Sequence, residues 1–394
     1  MDVASAKVLF LTSRSELGGA DFCLLEAIRY LDKERFKPLV GLPGPGPLVD
    51  DLLEAGAKVF YLDLQPLEKP EGPSDFARFL VGLMPSTLRL IRVLRQEQVD
   101  LVYTNSSAIQ TGALAARLCC IPNVWHVREI WTTPKWLIRA LNRYIYIMAN
   151  HIIAISRAVA DRNFGAWHSD KITVLYDGID WSLYAEPDKH ISLATFGIRS
   201  DKPILGMVTR LVPWKGTHLL LEAAAGLVSM GYDFDILIVG DTPRSIYSSY
   251  KDDLLQQVAE LGLSGKVFFV GWQAHVSSFL HQMDALVLPS VRPEPFGRVI
   301  LEAWAAGKPV VASAHGGPLE IIQHGQNGLL FEPNDPGDLT RQLAFLLDHK
   351  EQREVMGKVG RRTVLQRFDV QRSVHQIQSI CESVICPGGD LECC

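Results

Sequence analysis

Short apolar runs alternate with stretches of helical length through the first half of the chain. Lys7–Thr12, Lys37–Leu42, Ala57–Leu62, Asp100–Thr104, Asn123–Val127 and His151–Ile155 each hold five or six residues, with apolar side chains at consecutive positions. Such runs mark strands covered on both faces, since a strand with one wet face alternates apolar and polar residues. Ala20–Leu31, Phe76–Arg95 and Ile109–Leu118 lie between them and supply the crossovers that parallel pairing requires. The pattern predicts a doubly wound α/β domain. The rhythm restarts after Asp177-Gly178-Ile179-Asp180, with strands expected at Pro203–Val208, Phe234–Val239, Val267–Val270, Ala285–Leu288, Pro309–Ala312 and Gly328–Phe331. The fold class expected is therefore α/β, with two Rossmann-like doubly wound domains facing each other across a cleft. Residues 177–200, irregular and holding Gly178, Pro187 and Gly197, are the expected linker. After Asp335 the pattern is helical to about Ile385, and Cys386–Cys394 reads as a frayed tail. The expected division is residues 1–185, residues 186–368, and a C-terminal helix and tail, 369–394, packing back toward the first domain.

The length of 394 residues suits this division at roughly 150 residues per domain. A hydrophobic share of 47% with 21% charged residues excludes a disordered scaffold or a fibre. With 39 Lys and Arg against 44 Asp and Glu the net charge is −5, so no overall basic field exists to capture nucleic acid. The seven cysteines (Cys23, Cys119, Cys120, Cys381, Cys386, Cys393 and Cys394) form no CxxC pair and no metal-ligand spacing, which points to a reducing compartment and to no bound metal. The run Val8–Leu11 is too short for a secretory signal, and arginines interrupt the most apolar regions, Arg89, Arg92 and Arg95 in one and Arg139 and Arg143 in the next. A cytoplasmic protein without membrane spans is expected.

Ligands on open parallel sheets bind beyond the carboxyl ends of strands, so the residues that follow the strands carry the candidate chemistry. Glu294-Pro295-Phe296-Gly297 follows Ala285–Leu288 and opens a helix containing Glu302. Free N–H groups at Phe296 and Gly297 beside a carboxylate suit a hydroxyl-rich or anionic ligand, although acidic residues near a first helical turn also occur for the helix alone. Thr209-Arg210-Leu211-Val212-Pro213-Trp214-Lys215-Gly216 follows Pro203–Val208 and sets two cations at a strand-to-helix turn, where they oppose the helix dipole unless an anion or water meets them. Gly18 and Gly19 follow the first strand and either admit a phosphate or serve only the turn. His126, Arg128 and Glu129 end one strand and Asn105 and Ser106 end its neighbour; a strand-end histidine is either packed or reactive.

Taken in order, Thr209–Gly216, Phe268–Trp272, Leu288-Pro289-Ser290, Glu294–Gly297 with Glu302-Ala303, Gly307–Ser313 with Gly316, Gly317 and Glu320, and Asn327–Leu330 resemble family four of the retaining glycosyltransferases, with the two-domain GT-B fold. The match covers about Pro203 to Leu339; in the N-terminal half it rests on Gly18-Gly19 and His126. The resemblance implies transfer of a hexose-type sugar from a nucleotide diphosphate sugar to a hydroxyl acceptor, with retention and without an essential divalent metal or cofactor. It makes residues 1–185 the acceptor side and 186–368 the nucleotide-sugar domain. It assigns Arg210 and Lys215 to the diphosphate, Glu294 to sugar hydroxyls and His126 to the reaction centre. Gly18, Gly19, Val270, Gly271, Trp272, Phe296, Gly297, Arg298 and Glu302 fall on the donor side, with the base near Val270–Trp272 and the ribose at Glu302. Asn105, Ser106, Arg128 and Glu129 are acceptor-side candidates.

The acceptor class stays open as a glycan, a lipid-linked sugar or a small metabolite. Lys135, Arg139 and Arg143 recur every four residues beside Trp136, Leu137 and Leu141. They suit peripheral contact with an anionic membrane at its inner face, or the solvated edge of a crossover helix. Two alternatives to transfer are a GT-B sugar-nucleotide epimerase and a non-catalytic binding subunit. Against the second stands the joint presence of Arg210, Lys215, Glu294 and Glu302. A Rossmann dehydrogenase lacks its glycine fingerprint after the first strand.

Overall fold

A computed structural model describes residues 5–386 except 17, 68–72, 133, 166, 168, 188–190, 199–200, 243–246 and 248. The apolar runs of the first half become β1 (Ala6–Leu11), β2 (Phe36–Leu42), β3 (Lys58–Tyr61), β4 (Leu101–Thr104), β5 (Asn123–Val127), β6 (His151–Ala154) and β7 (Ile172–Val174). Between them run α1 (Gly19–Tyr30), α2 (Leu48–Glu54), α3 (Pro73–Glu97), α4 (Thr111–Leu118), α5 (Lys135–Met148) and α6 (Arg157–Phe164). The short, half-buried β7 was not anticipated, because three residues are too few to register as an apolar run. The strands pair in parallel in the order β3-β2-β1-β4-β5-β6-β7.

Alternation along the strands assigns each face its helices. Leu9, Leu11 and Val102 share one face with Leu90 and Leu94 of α3 and Ala115 and Ala116 of α4. Trp125, two residues on from the Val102 partner Asn123, lies on that face too, and its ring meets Tyr144 of α5 edge-on at 5.9 Å. The opposite face carries Val8, Phe10, Tyr103 and Val124 against Leu24 and Ile28 of α1. Each fully buried Leu, Ile or Phe contributes on the order of 1.5–3 kcal/mol.

The second unit repeats the plan. β8 (Ile204–Val208), β9 (Asp235–Val239), β10 (Val267–Phe269), β11 (Ala285–Leu288), β12 (Val310–Ser313) and β13 (Gly328–Phe331) pair in parallel in the order β10-β9-β8-β11-β12-β13. The connecting helices are α7 (Thr217–Ser229), α8 (Tyr250–Glu260), α9 (Val276–Gln282), α10 (Arg298–Ala305) and α11 (Pro318–Ile321), followed by α12 (Pro336–Asp348) and α13 (Lys350–Arg367). The last helix, α14 (Val370–Ile385), belongs to the first unit, where Val370, Val374, Ile377 and Cys381 join the core on the α1 face. The chain divides after Gly178 and after Asp369. The first division precedes the expected 185 because Ile179 bridges to Asp369 and donates its N–H to the Phe368 carbonyl at 2.9 Å, which ties the following turn to the second unit.

In each sheet the winding reverses once, between β1 and β4 and between β8 and β11. Loops leaving the carboxyl ends diverge there and leave room for a ligand. Among the described residues, no helix is long and apolar enough to cross a membrane, and the five cysteines, Cys23, Cys119, Cys120, Cys381 and Cys386, form no disulfide. The tail expected from Cys386 lies outside the described residues beyond that cysteine.

Candidate functional site

In the second unit, the neighbourhood of β8 and β11 brings together loops distant in sequence. After β8, Thr209 N–H donates to the Val239 carbonyl at 2.9 Å and Leu211 N–H to that of Asp241 at 3.0 Å, which lays the loop across the end of β9. Pro213–Lys215 make one tight 3₁₀ turn, and Gly216 follows in the left-handed region at φ +76°. A Cβ on Gly216 would lie 1.9 Å from the Pro289 carbonyl oxygen, so only glycine allows the two loops to approach this closely.

The approach joins the two charges singled out in the sequence. Lys215 Nζ donates to both carboxylate oxygens of Glu294, at 2.9 and 2.8 Å, although the residues are 79 apart in sequence. Ser290 Oγ donates to the same carboxylate at 2.8 Å. The side chains of Lys215 and Glu294 are only 15% and 9% exposed, so water screens this pair weakly. The Glu294 backbone is held as well, since its carbonyl accepts from Gly317 N–H at 2.8 Å, and a Cβ on Gly317 would lie 2.5 Å from Phe296 Cα. Gly297, at φ +93°, then turns the chain into α10.

The remaining donor-side candidates occupy different places. Arg210 is exposed just past β8. Arg298 Nε donates to Glu302 Oε1 at 2.9 Å, with both side chains largely buried, so these two act as a pair and not as independent groups. Val270, Gly271 and Trp272 lie past β10, two strands from β8; Gly271 accepts from Gly240 N–H at 2.8 Å, and Trp272 is exposed. Ser290, four residues before Glu294 in the same loop, has no assigned role in the sequence reading, because a serine at that spacing carries no signature of its own.

In the first unit, Gly18 precedes α1 and Gly19 begins it; among the described residues, none beyond its chain neighbours and its own helix backbone comes within 4 Å of where a Cβ on Gly19 would sit. Asp21, in the first turn, accepts from Thr12 Oγ1 at 2.9 Å and from Gly18 N–H at 3.2 Å. Burial nonetheless pushes its carboxyl up to about 6, against 3.8 ordinarily, with those two hydrogen bonds pulling the other way. The folded state therefore binds the proton more tightly than the unfolded chain, and this group's contribution to stability falls as pH rises from about 4 to about 6. At about 1.4 kcal/mol per pH unit the loss is roughly 3 kcal/mol. Asp21→Asn, which cannot titrate, is expected to remove that decline from a series of melting curves between these pH values.

His126 is fully buried, on the α1 face of β5 with Tyr103. Its Nδ1 lies 2.8 Å from the Tyr103 hydroxyl and 3.2 Å from Arg128 Nη2. A guanidinium only donates, so Nδ1 accepts and the imidazole proton resides on Nε2. Burial, with Arg128 nearby, holds His126 well below its ordinary range and keeps it neutral. Nε2 has no hydrogen-bond partner among the described residues. Arg128 is also buried; it donates through Nε to Asn105 Oδ1 at 2.8 Å and through Nη1 to Asp177. Burial pushes the Asp177 carboxyl up, but the charge and hydrogen bond of Arg128 outweigh it and hold the group below its ordinary range.

The acceptor-side candidates contact one another or their neighbours. Glu129 accepts from Ser106 Oγ at 2.5 Å, Ser107 N–H at 2.9 Å and Ser107 Oγ at 2.6 Å, so its carboxylate clamps the loop after β4 and Ser106 is committed with it. Asn105 and Arg128 likewise hold each other. Asp177, read in the sequence as linker, is a member of this buried network. In α5, Leu137, Leu141 and Ile145 pack inward as a crossover helix requires, while Lys135, Arg139 and Arg143 stay exposed.

Comparison with known proteins bears on both units. Residues 17–183 match the model described as Glycosyltransferase Family 4, and residues 188–363 the model described as Glycosyl transferases group 1. A lipopolysaccharide core biosynthesis glycosyltransferase, LpsE of Rhizobium meliloti, is 32% identical over 169 residues, 43% of this chain and 46% of its own length. The N-acetyl-alpha-D-glucosaminyl L-malate synthase of Bacillus anthracis is 31% identical over 214 residues, 54% of each chain. The chain thus spans about half the length of these two curated relatives. The UDP-Gal:alpha-D-GlcNAc-diphosphoundecaprenol alpha-1,3-galactosyltransferase of Escherichia coli is 24% identical over 380 residues, 92% of this chain and 93% of that one. Among solved structures, Anabaena HepE in complex with UDP-glucose superposes with a TM-score of 0.84 at 28% identity, covering 96% of this chain and 99% of that one. With both halves matched in chain order and the Lys215–Glu294 pair lying inside the second matched region, the chain belongs to family four of the glycosyltransferases, group 1.

Proposed function

We propose that the chain transfers a hexose from a nucleoside diphosphate sugar to a hydroxyl acceptor, retaining the anomeric configuration and without an essential divalent metal. The ion pair between Lys215 and Glu294 at the β8–β11 edge carries this reading. A weakly solvated carboxylate accepts paired hydrogen bonds from vicinal sugar hydroxyls, and a cation beside it meets the diphosphate. When the donor arrives, its hydroxyls replace the ammonium on Glu294 and Lys215 turns to the phosphate, so neither charge is left buried and alone. Arg210 adds a second cation, and together they stabilise the negative charge that grows on the departing diphosphate. The bond from the anomeric carbon to the phosphate breaks while the acceptor oxygen bonds on the same face, and the leaving phosphate takes the acceptor's proton. No protein nucleophile is required, and Glu294 is not one.

The N–H groups of Phe296 and Gly297 contact the same sugar, the Arg298–Glu302 pair meets the ribose, and the segment Val270–Trp272 meets the base. In the first unit, the space beside Gly19 takes the donor's phosphates, and His126 serves as a neutral N–H donor through Nε2 and not as a base. A UDP-hexose donor is supported by the HepE complex with UDP-glucose and by the name of the Escherichia coli relative. That relative's name also supports an acceptor carried on a lipid, and Lys135, Arg139 and Arg143 then contact an anionic membrane.

The test is a thermal-shift screen of nucleotide sugars without metal and then with magnesium, followed by product analysis with and without acceptor. A donor at about 100 times its dissociation constant stabilises by roughly 2.7 kcal/mol. Stabilisation without metal by one nucleotide sugar, and transfer only when acceptor is added, is the expected result. Conversion of the donor alone would instead establish an epimerase, and no response to any nucleotide or nucleotide sugar would sink the donor site.

A further inference from the structure

A surface helix ordinarily buries one apolar stripe and presents a polar face to water. α3 carries two apolar stripes. Leu90 and Leu94 pack into the sheet, whereas Leu80, Val81, Met84 and Leu88 are 49%, 76%, 51% and 52% exposed. Positions 80, 84 and 88 recur every four residues with 81 beside them, so the four form one continuous outward band. Single exposed apolar side chains are ordinary, but a contiguous band marks a surface that something covers.

Charge decides what covers it. The helix holds four arginines, at 78, 89, 92 and 95, against two acids, Asp75 and Glu97, that stand at its ends outside the apolar band, in a chain whose net charge is −5. Arg89 has an ion-pair partner, Asp63, at 3.7 Å, with both side chains more than half exposed. α5 lies on the same face of the sheet and adds Lys135, Arg139 and Arg143 with exposed Trp136 and Ile147, without an acid between Lys135 and Met148. A second copy of the chain docked symmetrically on this band would set the same cations against one another.

We propose that α3 is the element that enters an anionic lipid bilayer, with Leu80, Val81, Met84 and Leu88 at the acyl boundary and its arginines, with the cations of α5, at the headgroups. The proposal rests on the membrane-borne acceptor read above and assigns the apolar part of that contact to residues outside α5. Co-sedimentation of the full chain with vesicles tests it, using mixed phosphatidylcholine and phosphatidylglycerol against phosphatidylcholine alone. The wild type is expected to sediment with the anionic vesicles only. Replacing Leu80, Val81, Met84 and Leu88 together by serine should weaken this by about tenfold or more, since each buried methylene counts. Because these side chains are exposed, the variant should keep its melting temperature and its response to nucleotide sugar. Lys135→Glu with Arg139→Glu should weaken binding further, and high salt should mimic it. Equal sedimentation of the serine variant and the wild type would overturn the proposal. So would a wild-type dimer in light scattering that the serine variant splits. Vesicle binding that survives while no nucleotide sugar binds would leave this surface standing and sink the transferase reading instead.

Discussion

Glu294→Gln is expected to lower kcat/KM by about 10²–10³-fold, the range for losing one pre-set charge contact at a reacting centre. Glutamine keeps the volume and can still accept from Ser290 Oγ, so the loop between β11 and α10 should hold its shape. What goes is the negative charge facing Lys215. The ammonium, no longer held by a carboxylate, becomes more available to phosphate, so a nucleoside diphosphate without sugar should bind the variant at least as tightly as the wild type. Only the increment that the sugar adds should disappear. Thermal shifts with nucleoside diphosphate and with nucleotide sugar separate the two effects. A variant that retains the sugar increment would refute the role given to Glu294.

The largest effect on stability is expected at Arg128 and Asp177. Both are almost fully buried, so truncating either one leaves the other charged in a medium that solvates it poorly, at a cost of about 3–5 kcal/mol. Arg128 also supports Asn105 and His126 Nδ1, so Arg128→Ala should cost more than Asp177→Ala. Replacing both by apolar residues, Arg128→Met with Asp177→Leu, should cost less than the sum of the single changes, because no orphaned charge remains. Denaturant unfolding of the three variants measures this. Single changes costing under about 1 kcal/mol would show the pair to be far better solvated than its burial indicates.

Much of the fold was legible because a strand covered on both faces must be apolar at every position, and such runs are local. Ala285–Leu288 and Gly328–Phe331 are placed at the observed strands for that reason, and Asn123–Val127 is placed there by Val124, Trp125 and Val127 although Asn123 and His126 interrupt the run. β7 escaped, since a half-buried edge strand of three residues carries no such signature. The candidate segments Arg210–Gly216 and Glu294–Gly297 stand out in the sequence because each is contiguous, and the structure brings Lys215 of one against Glu294 of the other. The loop clamp at Glu129 was not, because a carboxylate that accepts three bonds from Ser106 and Ser107 and one that waits for a ligand look alike in one dimension.

The sequence by itself determined two doubly wound units, the residues at the ends of their strands, and the surplus of cations on α3 and α5. Those properties reside in consecutive residues and in helical spacing. Only the tertiary structure decided that Lys215 meets Glu294, that Arg128 is neutralised by Asp177, and that Leu80, Val81, Met84 and Leu88 face outward. Strand order sets the first, because β8 and β11 become neighbours only when the winding reverses between them. Burial sets the others: whether a charge needs a partner, or an apolar side chain a cover, depends on how much water its neighbours leave it.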